Sequence, residues 1–137
     1  MWICPKCKRP FQTTNQSHYC QEKTIDEIFD GKPDNVLMAF DDVLLATADW
    51  EPNVITAARK AIVFSNIRAW LIVRPLSKVL DVSFYTDTPL AGAVFHKSNV
   101  TMKGSKKFMH TIRLTGPDEL TPEILDVIKK GYDYAMR

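Results

Sequence analysis

Residues 69–85 read AWLIVRPLSKVLDVSFY, and the fold turns on how this stretch is parsed. Its two ends, 69–74 and 80–85, are rich in β-branched and aromatic residues, and the PLSKV between them suits a turn. A connection that short cannot hold a crossover helix, so the two runs pair antiparallel. Runs of the same character recur at 61–64, 94–103 and 108–114. The spacing predicts a mostly antiparallel meander of about five strands.

Alternation divides each strand into two faces. In 80–85, Leu80, Val82 and Phe84 oppose Asp81, Ser83 and Tyr85; in 108–114, Phe108, His110, Ile112 and Leu114 oppose Met109, Thr111 and Arg113. In 69–74, Ala69, Leu71 and Val73 oppose Trp70, Ile72 and Arg74, with Arg68 just before. One face reads as core. The other gathers Arg68, Trp70, Arg74, Tyr85 and Arg113, and cations interleaved with aromatic rings suit phosphate contact plus base stacking. A helix covering Trp70 and Ile72, with the arginines at its rim, fits the same pattern, and both arrangements stay open.

Helices flank the sheet. Thr24-Ile-Asp-Glu27 is a capping box that opens a short helix, which Gly31 and Pro33 end. From Asp34 to Thr47 the residues Val36, Leu37, Phe40, Val43, Leu44 and Thr47 fall at helical spacing. At the far end Thr121 suits an N-cap and Pro122 the first helical position, and Ile124, Leu125, Ile128, Tyr132 and Ala135 form an apolar stripe. The expected class is α+β.

A chain of 137 residues, 45% hydrophobic and 25% charged, has room for one core and an appendage. Its apolar runs stop at five residues, as in 36–40, far short of the about 20 that a membrane span needs. Charge early in the chain interrupts any secretory-type stretch, so a cytoplasmic protein is expected. The net charge is only +2, yet residues 54–114 hold ten basic against two acidic side chains, while 21–53 hold nine acidic against two basic. Such segregation produces a positive surface unless an acidic helix packs against it.

The three cysteines all lie in CPKCKRPFQTTNQSHYC, residues 4–20. Cys4 and Cys7 have the C-x2-C spacing that brings two sulfurs to a metal in one tight turn, and His18 and Cys20 complete a tetrahedral zinc set. A closed four-ligand site leaves no position for water, so the zinc is structural. A redox dithiol and free, unligated thiols are the weaker readings; thioredoxin-type motifs sit between a strand and a helix, and little precedes Cys4. The expected division is a zinc knuckle over 1–22 and an α+β domain over 23–137. Elsewhere no Ser/His/Asp signature, phosphate-cradling glycine loop or H-E-x-x-H helix occurs. His110 shares its face with apolar residues and reads as a core-edge histidine; a catalytic role would need partners.

Trp2, Cys4-Pro-Lys-Cys7, Phe11, Asn15-Gln-Ser-His18, Cys20, Thr24-Ile-Asp-Glu-Ile-Phe29 and His110-Thr-Ile-Arg-Leu-Thr-Gly-Pro-Asp-Glu-Leu120 resemble the domain-of-unknown-function family 5655. That family often has glycine where this chain has Lys8, and alanine where it has Gly131, a change that would weaken the last helical turn. The run from His110, with its acidic turn and tyrosine-bearing helix, is also similar to YjbR-like α+β domains, which implies DNA binding. Family 5655 implies an architecture and no activity.

The expectation is a zinc-clipped binding module that contacts nucleic acid or another polyanion through Arg68, Trp70, Arg74, Tyr85 and Arg113. The alternatives are a small enzyme or small-molecule binder with a pocket near His110, Arg113 and Tyr132, or a protein-interaction module.

Overall fold

The computed structural model describes residues 2–5, 10–15, 25–58, 60–88, 97–100 and 107–136, with backbone alone at 97–100. Strands β1 (Trp2–Ile3) and β2 (Pro10–Phe11) form an antiparallel hairpin that pairs Trp2 with Phe11, their ring centroids 6.0 Å apart. Helices α1 (Ile25–Phe29) and α2 (Asp34–Thr47) follow. Then come β3 (Val54–Ala57), β4 (Ile62–Ser65), β5 (Ala69–Pro75), β6 (Leu80–Thr86), β7 (Lys97–Val100), β8 (Phe108–Leu114) and α3 (Pro122–Ala135). The class is α+β, as the periodicities predict. Among the described residues, no helix is long and apolar enough to cross a membrane.

The helix boundaries follow local chemistry. Gly31 takes a left-handed φ of 76° after α1, and extended Pro33 precedes α2. The Thr121 hydroxyl accepts a hydrogen bond from the Ile124 N–H at 3.3 Å, capping α3. The Thr24 cap lies outside the described residues. Within α2 the buried stripe is Val36, Ala39, Phe40, Val43 and Thr47, whereas Leu37 is exposed. Leu37 stands about 100° round the helix from Val36, off the stripe's axis.

The sheet differs from the predicted meander in two ways. Among the described residues it has six strands in the order β3-β4-β5-β6-β8-β7, every neighbouring pair antiparallel. Strand β3, four residues at an edge, was not foreseen; its VITA sequence is short and follows a proline-containing stretch. The second difference is the order at the far edge: β8 inserts between β6 and β7. Seven-residue β8 buries His110, Ile112 and Leu114 on one side and Thr111 on the other, so it gains from neighbours on both edges. The shorter β7, with the polar sequence KSNV, takes the edge, where a charged residue discourages further pairing. The predicted strand 94–103 otherwise lies outside the described residues.

All three helices contribute to the core on one face. Phe29 and Phe40 rings are 4.8 Å apart, Phe40 meets Phe64 edge-on at 6.3 Å, and Tyr132 meets Trp70 edge-on at 5.0 Å. Below them cross-strand rows carry Phe64, Leu71, Phe84 and His110, then Ile62, Val73, Val82 and Ile112. Helix α3 packs tightly at Gly131, where an added Cβ would stand 2.8 Å from a Phe84 ring carbon. Glycine in place of alanine is therefore what lets helix and sheet close here; the expected weakening of the last turn has a packing gain beside it.

Candidate nucleic-acid interface

The face turned away from the helices begins with a row of charge. Register places Arg74 opposite Asp81 and Asp81 opposite Arg113. Arg113 Nε donates to Asp81 Oδ1 at 2.8 Å, with side chains 40% and 17% exposed. A pair this open contributes about 0 to 1 kcal/mol and leaves the guanidinium's remaining donors available. The ion pairs among the described residues are Arg113–Asp81 and Lys129–Asp133, and Arg74 is in neither. Three side chains thus carry a net +1, with both arginines exposed.

The next row is Ile72, Ser83 and Thr111, in which the two hydroxyls hydrogen bond at 3.0 Å in a buried setting. Beyond it Tyr85 stands opposite Met109, with the Lys107 ammonium 4.5 Å from the Tyr85 ring centroid. Asp81 and Tyr85 are four residues apart, or roughly 13 Å along a strand. The outer face is therefore buried in its middle, with a cationic row at one end and a half-buried tyrosine carrying a lysine at the other. Lys107 was not anticipated as a site residue, and only its place just before the strand could have flagged it.

Trp70 is the principal correction. It is 1% exposed, on the helix side, and its ring lies 5.6 Å from Trp50 and 5.8 Å from Phe64. The indole N–H donates to Asn53 Oδ1 at 3.1 Å. The cause is a β-bulge: Phe64 faces Leu71, but Ser65 faces Ala69, so Trp70 is an extra residue in β5. Its insertion turns Ala69 outward and Trp70 inward, reversing strict alternation at both positions. A ring so enclosed cannot stack on a base.

Arg68 sits in the β4–β5 turn, half-buried, and Asn66 shapes that turn. The Asn66 Oδ1 accepts from the backbone N–H groups of Ile67 at 2.6 Å and Arg68 at 3.3 Å, and its amide donates to the Tyr132 carbonyl at 3.0 Å. Asparagine in a turn is a legible signal, but its tie to α3 is not. Arg68 opens on a cavity of about 210 Å3 between the β1–β2 hairpin and the sheet. Around the sheet end, Lys32, Lys60 and Arg74 line a larger groove together with Glu27 and Asp30.

The suggested pocket around His110, Arg113 and Tyr132 is not assembled. His110 and Arg113 are an odd number of residues apart on one strand and project to opposite faces. His110 is fully buried against Phe84, and its Nε2 lies 2.8 Å from the Thr86 hydroxyl, which donates to the Thr88 carbonyl at 2.7 Å. Burial lowers the imidazole pKa, and the Thr88 carbonyl partly opposes this. The Tyr132 hydroxyl donates to the Pro52 carbonyl at 2.8 Å. Its pKa is raised by burial first and by the charges of Asp133 and Glu51 second. Both groups are satisfied structural members of the core.

Of the zinc set, Cys4 is buried just after β1. Cys7, His18 and Cys20 lie outside the described residues. Among the described residues no three His, Cys, Asp or Glu side chains are grouped to hold a metal.

No curated protein and no solved structure matches the chain. The family described as "Domain of unknown function (DUF5655)" matches residues 25–135, from α1 to the last residue of α3. The cysteine segment, which also carries part of the resemblance, lies outside that match. Since the matched span covers most of the chain, including the whole six-stranded sheet and its helices, the protein belongs to the DUF5655 family.

Proposed function

We propose that this chain is a zinc-clipped binding module that contacts nucleic acid through the outer face of its sheet. The observation carrying this reading is the cross-strand register that puts Arg74, Arg113 and Tyr85 together on the face opposite the helices. Phosphate contact falls to Arg74, Arg113 and Arg68, with Lys107 beside Tyr85 as a further cation. Tyr85 offers a partly exposed ring for stacking. Lys60 and Lys32 lie in the groove beside Arg74, where Glu27 and Asp30 offset two of the three positive charges.

The test is retention of short single- and double-stranded DNA and RNA at about 50 mM salt, where phosphate attraction is strong. Arg74→Ala should weaken binding to all sequences alike and reduce the salt slope by about one. Absence of retention with every probe would sink the reading.

Cys4, Cys7, His18 and Cys20 would hold the zinc. Three thiolates and one imidazole suit tetrahedral zinc, and the buried position of Cys4 beside β1 is consistent with a ligand turned away from solvent. The metal would act by tying the hairpin shut. Elemental analysis of protein never exposed to chelator should find one zinc per chain, with most of it lost in Cys20→Ser. Metal-free protein with freely titrating thiols would refute the clip.

A further inference from the structure

Loss of Trp70 to the core leaves the outer face short of an aromatic ring near Arg68, and the hairpin supplies one. Phe11 and Gln12 of the hairpin face Ser65, Arg68 and Ala69 of the sheet across the cavity of about 210 Å3. Sites that enclose drug-sized ligands run to about 300–1,000 Å3, so this one admits a single ring system and leaves anything attached to it outside. Its lining is mixed. Phe11 gives a half-buried aromatic face, while Arg68, Gln12 and Ser65 bring hydrogen-bonding groups to the edge. The guanidinium has five N–H donors in a planar fork, so it can serve a ligand and a protein partner together.

We infer that this cavity receives one unstacked nucleobase, guanine foremost, with its ring on Phe11 and its acceptor edge toward Arg68. Arginine pairs its fork with the O6 and N7 acceptors of guanine, and a base pulled from a strand is held by an aromatic side chain in this way. The inference rests on the proposed sheet interface and extends it. Arg74 stands five residues along β5 from Ala69, roughly 17 Å at strand spacing. A single strand with one base in the cavity can run its next phosphates along β5 to Arg74. The bulge has two consequences at once: it buries Trp70, and by turning Ala69 outward it opens the cavity wall.

The probes are guanosine monophosphate and two short strands of equal length, one carrying a single guanine and otherwise abasic, the other fully abasic. With the full chain as purified, the guanine strand should bind about 5- to 150-fold tighter than the abasic one. Phe11→Ala should erase that difference at an unchanged salt slope. Ala69→Phe, which fills the cavity from the sheet side and leaves the hairpin alone, should erase it too, and it decides the matter if Phe11→Ala loosens the hairpin. Equal affinity for the two strands, or an Ala69→Phe variant that still prefers guanine, overturns the cavity while leaving the sheet interface standing. Saturable binding of guanosine monophosphate without strand binding keeps the cavity and removes the interface. Failure of every probe removes both.

Discussion

The two faces of one sheet obey different rules here. On the helix side almost every position is closed: Leu71, Val73, Val82 and Phe84 are fully buried, and Trp70 and Ile112 nearly so. On the other side exposed Arg74 and Arg113, half-buried Tyr85 and outward Ala69 surround a buried centre of Val63, Ser83 and Thr111. The same strands build both, since alternation sends neighbours to opposite sides. The inner face holds the fold through dispersion and exclusion of water, so a lost atom there is felt throughout the domain. The buried centre of the outer face belongs to the fold as well, whereas its exposed rim at Arg74 and Arg113 contributes little to stability and is free to carry charge. Substitutions on the two sides should therefore separate stability from binding.

The sharpest test of the inner face is Trp70→Ala. It removes the ring shared by Trp50, Phe64 and Tyr132 and leaves the Asn53 side chain without its donor. Chemical denaturation should show a loss of about 3–5 kcal/mol. A variant that stays as stable as the parent and only binds weakly would place the indole on the outer face after all.

Gly131→Ala comes next. In an ordinary helix interior this change would add up to about 1 kcal/mol of stability. Here the new Cβ meets Phe84 Cδ2 at 2.8 Å and Cβ at 3.0 Å, so overpacking should reverse the sign and cost about 1–3 kcal/mol. Phe84→Leu in the same chain should recover part of that cost, because the two sites share one contact. An urea midpoint that rises in the single variant would break the account.

His110 gives the inner face a pH dependence. Its folded pKa lies below 6.5, so on acidification the unfolded chain takes up this proton before the folded one does. Its contribution is fully present above pH 6.5 and is lost as pH falls through the folded value. Urea midpoints should thus fall from pH 7.5 to pH 5.5, and His110→Gln should flatten that dependence. A midpoint that rises on acidification would contradict the burial.

The smallest effect on folding belongs outside. Arg74→Ala should shift stability by no more than about 0.5 kcal/mol while weakening strand binding, and Asp81→Asn should strengthen binding by freeing Arg113 from its carboxylate partner. Folding losses comparable to those of Trp70→Ala would show that the two faces are not separate in the way described.

Much of this molecule was legible in advance where one segment decides the outcome. Helices α2 and α3 begin and end at the proline, threonine and periodic apolar positions that predict them, since caps and stripes act within a few residues. The faces of β6 and β8 follow alternation throughout. The face of Trp70 was not legible, because it depends on one unpaired residue in a ladder with β4. Nor was the short strand β3, whose pairing with β4 carries it.

Taken by itself, the sequence determined the α+β class, the helix spans, the two-sided pattern of the long strands, the partition of charge and the zinc-type spacing of Cys4, Cys7, His18 and Cys20. These rest on local periodicity and on residue chemistry, which need no distant partner. Tertiary structure decided that β8 lies between β6 and β7, that Trp70 turns inward, that Gly131 admits Phe84, and that the hairpin walls a cavity on the sheet. Each of those depends on which segments far apart in the chain meet, and in what register. Propensity at a single position does not encode that choice; the packing of the whole does.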